Sequence, residues 1–281
     1  MRIDALLREA TARLAEAGID GAAREARLLL QAAADLPIAT QIAFPERAVE
    51  ASASARLQEL VARRARREPM AHILGRREFW SLTFKVTADT LDPRPDSETL
   101  VQAVLNQVPD RSASLRLVDF GTGTGCLLLS LLHELPHATG LGVDLSERAL
   151  AVAEENAQAL RLGARASFRL GNWDQGIAPP FDIVLSNPPY IPSGDIAALQ
   201  PEVASFEPRR ALDGGADGLE AYRQLAPAAG RLLPPRGLAA FEVGFGQADS
   251  VSAIGQAAGL RHVTTAHDLG AVQRCLLFRK P

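Results

Sequence analysis

The sequence predicts an α/β fold: a doubly wound, mostly parallel sheet of seven strands, preceded by a small helical domain. Three observations predict it. From Leu115 onward, short apolar runs alternate with stretches of helical periodicity. Such alternation implies parallel strands joined by crossover helices. Residues 1–72 show helical periodicity alone, and a glycine-rich turn follows the first strand of the alternating region.

In the leading segment, Ile3, Leu6, Leu7, Ala10 and Leu14 fall at helical spacing and Gly18 ends the run. Ala22–Ala34 repeats the pattern through Ala26, Leu29 and Leu30. A third helix is expected over Ala53–Arg67, carrying Leu57, Leu60 and Val61 on one face and stopping before Pro69. Residues 73–98 read as a hairpin and linker. Trp80, Leu82, Phe84 and Val86 alternate with polar residues at a strand's period of two, and LDPRPDSE leads to a helix near Ser97. The main domain, 99–281, has strands expected at Arg116–Phe120, Gly140–Asp144, Ala166–Leu170, Ile183–Ser186, Leu238–Val243, Arg261–Thr265 and Gln273–Phe278. Its helices are expected at Cys126–Glu134, Glu147–Leu160, Glu220–Leu225 and Gln247–Ala258.

Composition removes several function classes. At 281 residues, 47% hydrophobic and 22% charged, the chain is an ordinary globular protein. A net charge of −3 supplies no global basic field, so direct nucleic-acid binding is not expected. The two cysteines, Cys126 and Cys275, form no disulfide framework, and no cysteine or histidine cluster suggests a metal. The longest apolar stretch, around Cys126–Leu132, is too short to span a bilayer, and the charged, amphipathic segment MRIDALLREA lacks the unbroken apolar core of a signal peptide. A cytoplasmic monomer is expected.

The first strand of the main domain ends in Asp119-Phe-Gly121-Thr122-Gly123-Thr124-Gly125 and opens into a helix. Glycines let the backbone turn tightly and approach a ligand with no Cβ in the way. The spacing is GxGxG, whereas the dinucleotide fingerprint is GxGxxG. It suits an amino acid joined to a nucleoside, with no pyrophosphate to cradle. Asp144 ends the next strand, where a carboxylate can accept both ribose hydroxyls. The plainer alternative is a helix cap, a task Ser146 could perform instead.

The strongest signal is Asn187-Pro188-Pro189-Tyr190, directly after the apolar strand FDIVLS. Each proline holds the residue before it out of the helical region, and neither has an N–H, so the turn is stiff and shows carbonyl oxygens. An amide or aromatic amino nitrogen is a poor nucleophile because its lone pair is delocalised. The Asn187 oxygen and the Pro188 carbonyl can accept its two N–H bonds and aim the lone pair at a methyl donor. Tyr190 can stack on the planar group. With a positively charged sulfonium as methyl donor no general base is needed before transfer, and catalysis rests on alignment and carbonyl dipoles. The plain alternative is a rigid surface turn.

NPPY after a GxGxG loop is shared by amino-group methyltransferases, including those acting on DNA adenine. The rest is more specific. EPMAHILGRREFWSLTFKV, PRPDSE, DFGTGTG, SNPPYIP, FEPRRALDGGADGLEAYR and FEVGFGQ occur in that order. Together they resemble the HemK/PrmC family, glutamine N5-methyltransferases of peptide chain release factors. The resemblance implies a class I methyltransferase sheet, S-adenosylmethionine as cofactor (S-adenosylhomocysteine as product), and a release-factor Gly-Gly-Gln loop as substrate. It implies cofactor contacts at Gly121, Thr122, Gly123, Thr124, Gly125, Asp144, Trp173 and Asn187, and substrate contacts at Asn187, Pro188, Pro189 and Tyr190. Asn187, Pro188 and Tyr190 are the expected catalytic set, and the helical domain is expected to help dock the release factor. The chain departs from the family's usual residues at Asp92, Ser97 and Asn172.

Other residues carry two readings each. Trp173 follows the third strand, where an adenine or a core would meet it. Arg94 and Asp96 line the pocket mouth or hold a turn by local ion pairs, and Glu207 and Pro208 shape the entrance or simply turn. The run Arg63, Arg64, Arg66, Arg67 is most simply a solvated helix face, with contact to a release factor or RNA as the alternative. A DNA or RNA amino-group methyltransferase remains the alternative enzyme. A catalytically silent cofactor-binding adaptor is the non-enzymatic one, and a dinucleotide-dependent dehydrogenase is more distant.

Overall fold

The computed structural model describes residues 1–281. The chain forms two compact units, one of Met1–Gly75 with Gln200–Phe206, the other of Arg76–Leu199 with Glu207–Pro281.

The first unit is helical: α1 (Ile3–Glu16), α2 (Ala22–Ala34), α3 (Ile38–Ala43), α4 (Ala51–Ala65) and α5 (Met70–Leu74). The apolar stripes of α1, α2 and α4 meet in a core built on Leu6, Leu14, Leu29, Leu30 and Leu57. Gly18 follows α1 at φ 71°, a left-handed conformation glycine adopts without steric cost. The sequence reading lacked α3 and α5, which at six and five residues are too short to display a period.

Of the arginine run only Arg66 is exposed; Arg63, Arg64 and Arg67 are tied into ion pairs rather than forming a solvated face. Arg64 is buried, its Nε donating to Glu25 Oε2 at 2.6 Å and its Nη1 to Glu202 Oε1 at 2.9 Å. Arg67 donates to Glu202 Oε2 at 2.8 Å and to the Gly18 carbonyl at 2.6 Å. Arg63 pairs with Glu68. Glu25 and Glu202 lie 39 and 138 residues from Arg64, so no local charge pattern announces them. Glu202 belongs to a short helix, α9 (Pro201–Phe206), that this unit receives from far downstream.

The second unit opens with a hairpin, β1 (Arg76–Phe79) and β2 (Leu82–Lys85), in which Trp80 lies in the turn rather than in a strand. Trp80 and Ser81 form the turn with φ of 53° and 57°, the double positive φ of a tight hairpin turn. Trp80 is held there by its side-chain Nε1, which donates to Glu134 Oε1 at 2.9 Å, and its backbone N–H, which donates to Glu98 Oε1 at 2.8 Å.

The remaining elements are α6 (Glu98–Asn106), β3 (Arg116–Phe120), α7 (Cys126–Glu134), β4 (Thr139–Asp144), α8 (Glu147–Ala159), β5 (Ala166–Leu170), β6 (Ile183–Ser186), α10 (Glu220–Leu232), β7 (Leu238–Glu242), α11 (Ala248–Ala257), β8 (Arg261–His267) and β9 (Gln273–Arg279). Seven strands form one sheet in the order β5-β4-β3-β6-β7-β9-β8, parallel except for β9. Helix α10 continues past Pro227, seven residues beyond the expected end, because Ala228, Ala229 and Leu232 still face the core. Both sheet faces are covered, as parallel strands require. Leu117 and Leu185 point into the layer holding α6 and α7. Val118 and Val184, one residue along, point into the layer holding α10 and α11.

The order reverses at β3, whose neighbours are β4 on one side and β6 on the other. In doubly wound sheets the crevice beyond the carboxyl ends of the strands at such a point is where ligands bind.

Candidate active site

Strands β3 and β6 pair directly, with Phe120 opposite Ser186, and the Ser186 hydroxyl donates to the Phe120 carbonyl at 2.7 Å. The next residue on each strand is therefore Gly121 or Asn187, and the glycine loop and the NPPY turn leave the sheet side by side. Gly121, Gly123, Asp144, Trp173, Asn187 and Pro189 line one crevice. It encloses about 770 Å³ counting its open mouth, within the range of small-molecule sites.

The glycine loop is built for close approach. Gly121, Gly123 and Gly125 have φ of 71°, 54° and 79°. A Cβ on Gly121 would meet nothing within 4 Å, so the loop faces open space on that side. The N–H groups of Gly121 and Thr122 both donate to the Val143 carbonyl, at 2.8 and 3.0 Å. Asp144 completes the tie. Its Oδ2 accepts from the Gly123 N–H and its Oδ1 from the Ser146 N–H, both at 2.9 Å. Ser146 caps α8 by accepting from the Ala149 N–H. Asp144 is thus left on the crevice wall with lone pairs to spare.

Two acids are buried beneath this edge. Burial pushes the Asp119 carboxyl up to about 7, against the opposing hydrogen bond from the Thr122 hydroxyl at 2.7 Å. Burial likewise pushes Glu242, the last residue of β7, up to about 7 against the pull of Ser97, Arg274 and Asn187. The sequence reading assigned Glu242 no role.

The NPPY turn is braced from behind. The Gln247 side chain donates to the Tyr190 carbonyl at 2.8 Å and accepts from the Gly244 N–H at 3.0 Å. The backbone of Ile191 exchanges bonds with Leu212 and Gly214. A Cβ on Gly214 would stand 2.8 Å from the Pro189 carbonyl oxygen, and one on Gly218 would overlap the Tyr190 carbonyl oxygen. These glycines of LDGGADGLE went unassigned in the sequence, although a glycine cluster after a proline turn is itself a sign of close backbone packing. Tyr190 is half-buried and packs against the layer of Tyr222 and Phe241, and Pro188 is buried.

Trp173 serves both of its readings. It lines the crevice, and its ring meets Phe120 edge-on at 6.4 Å between centroids. Thr122 and Thr124 are buried in the loop, and Thr122 anchors Asp119. Arg94 and Asp96 hold distant partners, Glu207 and Arg274, rather than local ones. Pro208 lines the crevice. Sequence reasoning missed Leu91 and the exposed Leu145, apolar residues on the same crevice wall. Phe120 and Phe181 are core. No group of three or more His, Cys, Asp or Glu could hold a metal, and no helix is long and apolar enough to cross a membrane.

Comparison with known proteins agrees in both units. Residues 5–75 match the family described as PrmC N-terminal domain, and residues 88–201 match the methyltransferase small domain. The chain is 47% identical over 268 residues to the release factor glutamine methyltransferase of Rhodospirillum rubrum, covering 95% of this chain and 82% of that one. It is 46% identical over 266 residues to the enzyme of that name from Caulobacter vibrioides, covering 94% and 92%. In fold it is similar to the ribosomal protein L11 methylase of Lactobacillus delbrueckii subsp. bulgaricus, with a TM-score of 0.50 and 19% identity over 68% of this chain and 83% of that one. The helical unit, the glycine loop beside the NPPY turn and this extent of identity carry one conclusion: the chain belongs to the release factor glutamine methyltransferase family.

Proposed function

We propose that this chain methylates the side-chain amide nitrogen of the glutamine in the Gly-Gly-Gln loop of peptide chain release factors. The observation that carries the reading is the pairing of β3 with β6, which brings Asn187 and the glycine loop to one crevice. The residues there fit S-adenosylmethionine. Gly121 and Gly123 leave a cradle free of Cβ atoms, Asp144 offers a carboxylate to ribose hydroxyls, and Trp173 and Leu145 offer apolar surface to the adenine. Bound S-adenosylmethionine would supply a sulfonium methyl and leave as S-adenosylhomocysteine.

The chain's own residues do the aligning. Asn187 turns its Nδ2 toward Ser97 Oγ at 3.2 Å, which leaves its Oδ1 to accept one N–H of the substrate amide. The Pro188 carbonyl accepts the other, and Tyr190 stacks on the amide plane. With both N–H bonds held in plane, the nitrogen lone pair points along the line of transfer. On transfer from the bound donor the substrate nitrogen would gain an N–C bond in place of the broken S–C bond and then lose a proton to water. The gain comes from alignment and from carbonyl dipoles facing the developing positive charge. Residues 1–72 help dock the protein substrate, and a translation factor as substrate supports a cytoplasmic reaction.

Purified protein, methyl-labelled cofactor and its own release factors test the reading, with mass spectrometry of the Gly-Gly-Gln peptide. One added methyl on the glutamine amide is the expected result. An unlabelled peptide beside an active control enzyme sinks the reading, and label on DNA or RNA alone replaces it with nucleic-acid amino methylation.

A further inference from the structure

Three side chains meet behind the NPPY turn. Asn187 Nδ2 donates to Ser97 Oγ at 3.2 Å. That bond occupies a lone pair of the Ser97 hydroxyl and leaves its proton to go elsewhere. The Glu242 carboxyl faces both Ser97 and Asn187, and its Oε2 is buried with no hydrogen-bond partner. Ser97 and Glu242 are each only 2% exposed, so solvent does not stand in for either.

We propose that Ser97 and Glu242 are positioning residues that fix which way round the Asn187 carboxamide sits. An ionised carboxylate accepts and cannot donate. Ser97 must therefore give it the hydroxyl proton and present oxygen to Asn187. Asn187 must in turn point its NH₂ inward and its Oδ1 into the crevice. The series runs one way because it ends on an acceptor. A terminal amide or hydroxyl in place of Glu242 would permit both directions, and half of the resulting arrangements would show the substrate an NH₂ group. The lock is also a selector. An outward Oδ1 welcomes a glutamine NH₂ and gives nothing to a glutamate carboxylate of the same shape. This inference rests on the amide methylation proposed above and names the residues that orient its acceptor.

The test compares Ser97→Ala, Ser97→Thr, Glu242→Gln and the Ala/Gln double variant, with kcat and KM measured on a release factor. Cofactor affinity, measured in parallel, reports whether each variant is folded. Ser97→Thr keeps a hydroxyl and should stay within about twofold of wild type in kcat. Ser97→Ala and Glu242→Gln should each lower kcat on the order of tenfold or more, with cofactor affinity within about threefold. The double variant should fall no further than the worse single, since both break one series. The acid limb of the kcat profile should flatten in Glu242→Gln. The titratable and charged groups facing Glu242 are Arg274, Asp96, Tyr190, Tyr222, Cys275 and Cys126, and these stay in place in that variant. Wild-type kcat in Ser97→Ala and Glu242→Gln, additive losses in the double variant, or equal damage from Ser97→Thr and Ser97→Ala overturns the proposal. Should wild type leave the glutamine unlabelled, the amide-methylation reading falls first; an active wild type with indifferent variants removes the orientation lock alone.

Discussion

The two units treat buried charge in opposite ways. In the helical unit the buried arginine, Arg64, is bracketed by Glu25 and Glu202, and Arg67 adds a second bond to Glu202. Although burial works to raise it, hydrogen bonds from Arg67 and Arg64 hold the Glu202 carboxyl below its ordinary range. In the catalytic unit Asp119 and Glu242 each keep one carboxyl oxygen buried without a partner, and both titrate near 7. Paired charge holds a fold in register. Unpaired acid stabilises nothing by itself and is found where a group must be oriented or a charge answered.

The largest effect that should separate the two regions is on turnover. Asn187→Ala should cut kcat by on the order of 10²–10³ while cofactor affinity, followed by calorimetry, changes only a few-fold. A loss of cofactor binding as deep as the loss of turnover would mean that Asn187 holds cofactor and not substrate.

Next comes Arg64→Ala, which leaves the half-buried Glu25 without its arginine and Glu202 with Arg67 alone. It should cost about 1–3 kcal/mol of stability, read as lost hydrogen-exchange protection in α2, α4 and α9. Loss that spreads equally through the seven-stranded sheet would contradict a locally held network. Asp144→Ala should weaken cofactor binding by on the order of tenfold or more and leave kcat at saturating cofactor nearly unchanged.

The smallest effects are pH slopes of opposite sign. Glu202 and Glu68 have depressed values, Glu68 chiefly through its bond from Arg63. Their contribution is present above the unfolded carboxylate range and is lost as pH falls through the folded values. Asp119 and Glu242 are raised, so the folded catalytic unit binds more protons than the unfolded chain between about 4.5 and 7. Its stability should therefore decline as pH rises across that window. Trp80 and Trp173 both belong to this unit, so tryptophan fluorescence reports its melting alone. Hydrogen exchange in α2 and α4 reports the other. Parallel slopes in the two signals would erase the contrast.

The local parts of this site were legible in the sequence, and the long-range ones were not. The glycine loop, Asp144 and the NPPY turn could be read because each follows an apolar strand, and strand alternation predicts which sheet edge they share. The Ser97–Asn187 bond spans 90 positions, and Ser97 showed in the sequence only as the start of a helix and a departure from the family's usual residue. Arg64 was misread because a run of arginines on a helix resembles a wet surface when its partners are distant. Trp80 was placed in a strand because its period fits; two positive φ angles put it in the turn instead. The helix expected over Glu220–Leu225 runs on through Pro227 to Leu232, because the face beyond it is apolar.

The glycines at 214 and 218 bear on any attempt to transplant this chemistry. Four letters, Asn-Pro-Pro-Tyr, do not own their shape. The loop behind them presses so close that even an alanine there would push the turn outward. A designer grafting the tetrapeptide onto another sheet would need to bring the downstream loop as a matched half, much as a key blank is useless without its lock. Variation should therefore be tolerated sooner at the rim of the pocket than at these two backing glycines, which do not line it.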